Sequence, residues 1–135
     1  MSISKLNRGF SLIEMIVVVV IIAVSVRIAV AYYSHVFEKA RADEAKQRLW
    51  EIRVAWSQYA MNNRLPTFSF PDLDLDPVRF PVACRSENYF SYSLNNTNAI
   101  ATRCTHSGKR PQSARAYKVT LHLDNSTWGG TPGYY

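Results

Sequence analysis

Few residues in this sequence have the type and spacing to do chemistry. Cys84 and Cys104 are the only thiols, and apart from Cys104–His106 neither has a nearby Cys or His at metal-ligand spacing, so zinc is not expected. Asp72, Asp74 and Asp76 alternate with Leu73 and Leu75, the spacing that opens an EF-hand loop. Position six of such a loop is Pro77 instead of Gly, and position twelve is Ala83 instead of Glu. The trio is therefore a weak calcium candidate, and it reads more simply as an extended segment with acids outward. His35, His106 and His122 are scattered, no Ser/His/Asp grouping suggests itself, and no Gly-rich loop could cradle a phosphate. No enzyme activity and no cofactor are expected. The second half is basic through Arg103, His106, Lys109, Arg110, Arg115 and Lys118. Of these, Lys109, Arg110, Arg115 and Lys118 make a candidate nucleic-acid patch, whose plain alternative is a solvated loop with surplus charge. One acid stands out by its surroundings: Glu14 lies inside a long apolar run.

The elements that must carry these residues follow from periodicity. The chain has 135 residues and a net charge of +6, with eight Tyr, six Phe and three Trp, a composition that argues against disorder. Residues 1–9 form a polar leader with Lys5 and Arg8. Residues 10–33 are apolar except for Ser11, Glu14, Ser25 and Arg27. As a helix they span about 36 Å, enough to cross a bilayer's hydrocarbon core. The basic leader predicts a cytoplasmic N-terminus, with everything after residue 33 outside. Beyond Tyr32 the pattern turns amphipathic. Ala42, Ala45, Leu49, Ile52, Trp56 and Tyr59 share one helical face, and charges from Glu38 to Arg53 fill the rest, Glu44 and Arg48 as an i,i+4 pair. With no Pro or Gly between Phe10 and Asn63, one helix over about 10–63 is predicted.

Residues 64–87 hold four prolines and are predicted as a long ordered loop, pinned to the helix by Phe68, Phe70, Leu73 and Leu75. Strands are predicted around Phe90–Tyr92–Leu94, over residues 99–104, and around Tyr117–Val119–Leu121–Leu123, forming an antiparallel meander covered by the apolar helix face. Loop 105–116 and tail 129–135 are expected to be exposed. Both cysteines fall outside the cytoplasm, which predicts a Cys84–Cys104 disulfide joining the end of the proline loop to the second strand.

The run Arg8-Gly9-Phe10-Ser11-Leu12-Ile13-Glu14 resembles the processing motif of type IV pilins and pseudopilins: Gly, then Phe or Met, Ser or Thr, Leu, Ile or Val, and Glu, followed by an apolar helix. The resemblance implies cleavage after Gly9 by a prepilin peptidase and N-methylation of Phe10. It also implies an α+β pilin-like fold, with a long N-terminal helix on a small antiparallel sheet. Three segments are expected: leader 1–9, transmembrane and filament-core helix 10–33, and extracytoplasmic head 34–135. Cleavage would place a new α-amine one helical turn from Glu14. A neighbour's amine in a filament is the natural partner for that carboxylate, so Glu14 reads as a device for axial register. Two departures from the family pattern are visible. No Pro stands near Ala31 and no Gly interrupts the membrane stretch, and Arg27 sits near its outer end, about 25 Å along the helix from Phe10. Arg27 could pair with a neighbour's carboxylate or simply reach the interface with its long stem. Competing readings are a plain signal anchor, or a secretory signal peptide cut at Ala29-Val30-Ala31; Glu14 and Arg27 both speak against the latter.

The expected function is thus a structural subunit of a type IV pilus-like filament. Its expected partners are copies of itself, the prepilin peptidase and the assembly machinery of the bacterial inner membrane, where it would wait before joining an extracellular filament. The alternatives are a DNA-binding minor pilin for DNA uptake and a pseudopilin of a type II secretion machine.

Overall fold

The computed structural model describes residues 10–95, 97–106, 109 and 116–135. Its elements are the helix α1 (Leu12–Asn63), a short 3-10 helix (Phe70–Leu73), and the strands β1 (Phe90–Asn95), β2 (Asn98–Arg103), β3 (Lys118–His122) and β4 (Trp128–Gly130). The chain divides into two compact units between His35 and Val36.

In the first unit, residues 10–30 are exposed throughout. α1 is long and apolar enough there to cross a membrane. A Val- and Ile-rich run is a poor helix former in water, because β-branched side chains lose rotamer freedom against the preceding turn. In hydrocarbon the balance changes: a single span can satisfy its amides only by closing them on itself, so the same residues are held helical.

The second unit holds the core. Ala42, Ala45, Leu49 and Ile52 of α1 are at most 1% exposed, with Trp56 and Tyr59 partly buried beside them. The sheet is a four-stranded antiparallel meander in the order β1-β2-β3-β4. Register places Tyr92 opposite Ala101 and Ala101 opposite Val119, while Leu94, Ala99 and Leu121 form the next row. Since side chains alternate along a strand, these rows share one face, and they join the helix stripe in a single core. The amphipathic helix and three strands thus form where the periodicities place them, the helix beginning at Leu12.

Three expectations fail in instructive ways. Tail 129–135 is not simply exposed: β4 pairs with β3, and Tyr134 stacks on Tyr117 with ring centroids 3.8 Å apart. The Gly-Gly pair in β4 allows a tight approach, because Gly130 has φ +120 and a Cβ there would lie 2.2 Å from the Lys118 carbonyl oxygen. Second, Phe68 does not pin the proline loop; it is 54% exposed, whereas Leu73 and Phe80 are buried. Polar contacts help instead. The Trp56 indole donates to the Thr67 carbonyl at 3.0 Å, and the buried Thr67 hydroxyl donates to Asp72 at 2.6 Å. Third, Glu38 is not a solvent-facing charge of the helix but is buried.

Cys84 and Cys104 are joined, 20 residues apart in sequence. Asn88 reinforces the closed loop, its amide donating to the Ala83 and Phe90 carbonyls and its oxygen accepting the Arg85 N–H. Opening the disulfide by a Cys84→Ser/Cys104→Ser pair should lower head stability by about 3 kcal/mol on the chain-entropy view. Urea unfolding followed by tryptophan fluorescence measures this directly, since all three Trp lie within residues 36–135.

Candidate functional site

The N-terminal site is built on the first turn of α1. Ser11 precedes the helix and occupies the N-cap position, with its carbonyl accepting the Glu14 N–H at 3.0 Å. Glu14, three residues on, returns its carboxylate to the Ser11 backbone N–H at 3.4 Å. This is the reciprocal arm of a capping box, available from the Ser-x-x-Glu spacing, and an acid in the first turn also opposes the helix dipole. In the isolated subunit the carboxylate thus has a backbone donor, though Glu14 itself is exposed. Phe10, the expected new N-terminus, is 74% exposed. Gly9 lies outside the described residues. Arg27 is an exposed residue of α1.

A second constellation, not anticipated from the sequence, lies in the head. The Arg103 guanidinium, fully buried, forks onto Glu38 through Nε–Oε2 at 3.0 Å and Nη2–Oε1 at 2.9 Å, and gives its third donor to the Cys104 carbonyl at 2.6 Å. The Tyr117 hydroxyl donates to the same carboxylate at 3.1 Å, and Arg41 adds a bond at 2.5 Å. Burial pushes the Glu38 carboxyl up, but the bonds and charge of Arg103, with Arg41 and Tyr117, outweigh it and leave the group below the usual glutamate range. Burial likewise lowers Arg103, and the bond to Glu38 more than restores it. Tyr117 is raised by burial first and by the Glu38 charge second. Tyr92, also buried, is pushed up to about 12.

The signs fix the pH profile. A depressed Glu38 contributes stability that is fully present above its ordinary 4.5 and is lost as pH falls through the lower folded value. The raised tyrosines contribute stability that is complete below 10.0 and fades as pH climbs through their folded values. The thermal midpoint of the head should therefore be flat between about pH 5 and 9 and fall on both sides. Glu38→Gln should flatten the acid limb.

The other candidates are placed as follows. The Lys109 ammonium donates to the Arg85 and Asn88 carbonyls at 2.9 and 2.7 Å, while Lys118 is exposed on β3. Arg110 and Arg115 lie outside the described residues. Asp72 accepts from Thr67, Asp76 accepts the Val78 N–H, and Asp74 sits in a left-handed turn at φ 49. Among the described residues no group of three or more His, Cys, Asp or Glu is placed to hold a metal ion.

Comparison with known families matches residues 4–26 to the prokaryotic N-terminal methylation motif. No characterised protein and no solved structure matches the chain. The match takes in residues 4–9 of the expected leader, the expected cleavage point and the first turns of α1, the segment containing the capping box. The motif stands at the head of an apolar helix of membrane length, and the chain has a long N-terminal helix and a four-stranded antiparallel sheet, so motif and fold class are those of a type IV pilin-like α+β chain.

Proposed function

We propose that the chain is a structural subunit of a type IV pilus-like filament. The observation that carries this reading is the methylation motif running directly into an apolar helix whose residues 10–30 lie exposed in the single chain. A helix of this composition is stable in lipid or against copies of itself, but not in water. In this reading the prepilin peptidase cuts after Gly9, Phe10 is methylated, and the subunit waits in the inner membrane with its N-terminus cytoplasmic and residues 34–135 outside. The assembly machinery then exchanges its lipid neighbours for other subunits, with Glu14 choosing the axial offset. A further apolar stripe supports polymer packing: Trp50, Val54 and Met61 are spaced at four and seven residues, on the opposite side of α1 from the core stripe, and are 41–80% exposed.

Intact-mass and N-terminal analysis of the protein from cells, on both membrane and sheared surface fractions, tests the proposal. A methylated chain beginning at Phe10 and present in the sheared fraction is expected; a chain beginning at Tyr32 would refute it. A processed chain confined to the envelope in a cell with a type II secretion machine would point to the pseudopilin alternative.

A further inference from the structure

The chain carries two Asn-x-Thr runs, Asn95-Asn96-Thr97 and Asn125-Ser126-Thr127. The strand order brings both to one end of the sheet. The first closes β1 onto β2, the second lies between β3 and β4, and the Leu123 N–H donates to the Thr97 carbonyl at 2.7 Å. Arg53 marks that end on α1, its Nε donating to the Leu123 carbonyl at 3.2 Å, whereas Glu38 meets Arg103 at the other end. Residues 38 and 53 of a helix lie about 22 Å apart along its axis, so the second run is well clear of the buried ion pair. Asn96 lies outside the described residues, and the geometry bears on Asn125 alone.

The turn from β3 to β4 is closed by its own groups. The Ser126 N–H donates to the His122 carbonyl and the His122 N–H to the Thr127 carbonyl, both at 2.9 Å, while the Asp124 carboxylate accepts the Asn125 N–H at 2.9 Å. Asn125 Oδ1 takes two bonds from Thr127, one from the backbone N–H at 3.1 Å and one from the hydroxyl at 2.7 Å. The backbone bond alone would make an ordinary Asx turn; the hydroxyl bond is what the Asn-x-Thr spacing adds. A backbone N–H can meet only the oxygen of a carboxamide, so the two ends of this side chain are distinguished. Both lone pairs of the oxygen are thereby used, and among the described residues Nδ2 meets no acceptor. Asn125 and Thr127 are both exposed. The side chain is pinned by its oxygen and offers its nitrogen outward.

We propose that Asn125 is an N-glycosylation site, whose Nδ2 takes a glycan from a membrane-borne donor, a sugar pyrophosphate carried on a polyprenol. In the transfer Nδ2 bonds to the anomeric carbon of the sugar. The bond from that carbon to the pyrophosphate oxygen breaks with its electron pair, and one Nδ2 proton passes to a base of the transferase. The Thr127 bonds orient the nitrogen, while its deprotonation falls to the transferase. The head carries a disulfide, as suits an oxidising space outside the cytoplasm. The inference rests on that exterior placement, part of the proposed function, and not on polymerisation.

Mass spectrometry of the protein isolated from its own cells is the test. Cleavage after Lys118 leaves residues 119–135, in which Asn125 is the sole Asn. That peptide is expected to carry a glycan mass, located on Asn125 by electron-transfer fragmentation. Asn125→Asp keeps an oxygen for both Thr127 bonds and removes the nitrogen, so it should lose the glycan entirely while tryptophan fluorescence reports a folded head. Thr127→Ser keeps the hydroxyl and should retain the glycan; Thr127→Val should lose it. A bare 119–135 peptide in the wild type would overturn the inference. So would a sugar that survives Asn125→Asp, which would be O-linked to a neighbouring Ser or Thr. The same digest reads the N-terminus, and a chain beginning at Phe10 with a bare Asn125 peptide sinks this inference alone.

Discussion

Glu38→Ala should destabilise the head by about 3–5 kcal/mol, more than any ordinary surface substitution, because it strands the fully buried Arg103 charge. What is lost is not mainly the attraction within the pair. The greater part is the cost of keeping a guanidinium out of water with nothing to answer it. A double replacement, Glu38→Met with Arg103→Leu, removes both charges and should recover most of the loss. Tyr117→Phe, which deletes one donor but leaves the pair, should cost only about 1 kcal/mol. Urea titrations of the four proteins under one set of conditions give all three differences. Equal losses for the single and double variants would mean that the site stabilises by packing alone.

Glu14→Ala should abolish filaments while leaving processing and membrane insertion intact. The acid is the only carboxylate in residues 10–33, and its lone-subunit partner is a backbone N–H at 3.4 Å, a long bond that a cationic α-amine could readily replace. Losing the capping arm costs α1 about 1 kcal/mol, too little to melt a membrane helix. The effect should therefore fall on polymerisation. Immunoblots of sheared surface and membrane fractions, with N-terminal analysis of the membrane pool, separate the outcomes. Filaments at wild-type yield would remove Glu14 from assembly. A retained leader would move its role to the peptidase step. Replacing Gly9 by a bulky residue should give the converse result, with the leader retained.

The parts of this protein that were legible in the sequence are those written locally. Ala42, Ala45, Leu49 and Ile52 recur at helical spacing, and Tyr117, Val119, Leu121 and Leu123 alternate, so their burial follows from the geometry of single elements. The processing motif is likewise a short contiguous run. The Glu38–Arg103 pair is of another kind. Its members are 65 residues apart, and each is of a type that nearly always faces water, so no window of sequence marks them as buried partners. One clue existed: Arg103 occupies the inward phase of β2 together with Ala99 and Ala101, where an arginine is out of place unless something answers it. β4 escaped notice for a different reason. A three-residue strand containing two glycines has almost no strand character of its own, and it forms because β3 offers an edge and Tyr134 a stacking partner on Tyr117. The basic loop was legible as charge but not as structure, since Lys109 is committed to two carbonyls and a ring face rather than to open solvent.

The strand order has a kinetic consequence. Every strand of the sheet is hydrogen-bonded to its neighbour in sequence, so each pairing closes a comparatively short loop, and such topologies form fast. The long closure is the one that brings residue 38 to residue 103. In a folding head the local pairings of the meander are therefore expected to close before residue 38 reaches residue 103, with the carboxylate and the guanidinium hydrated until then.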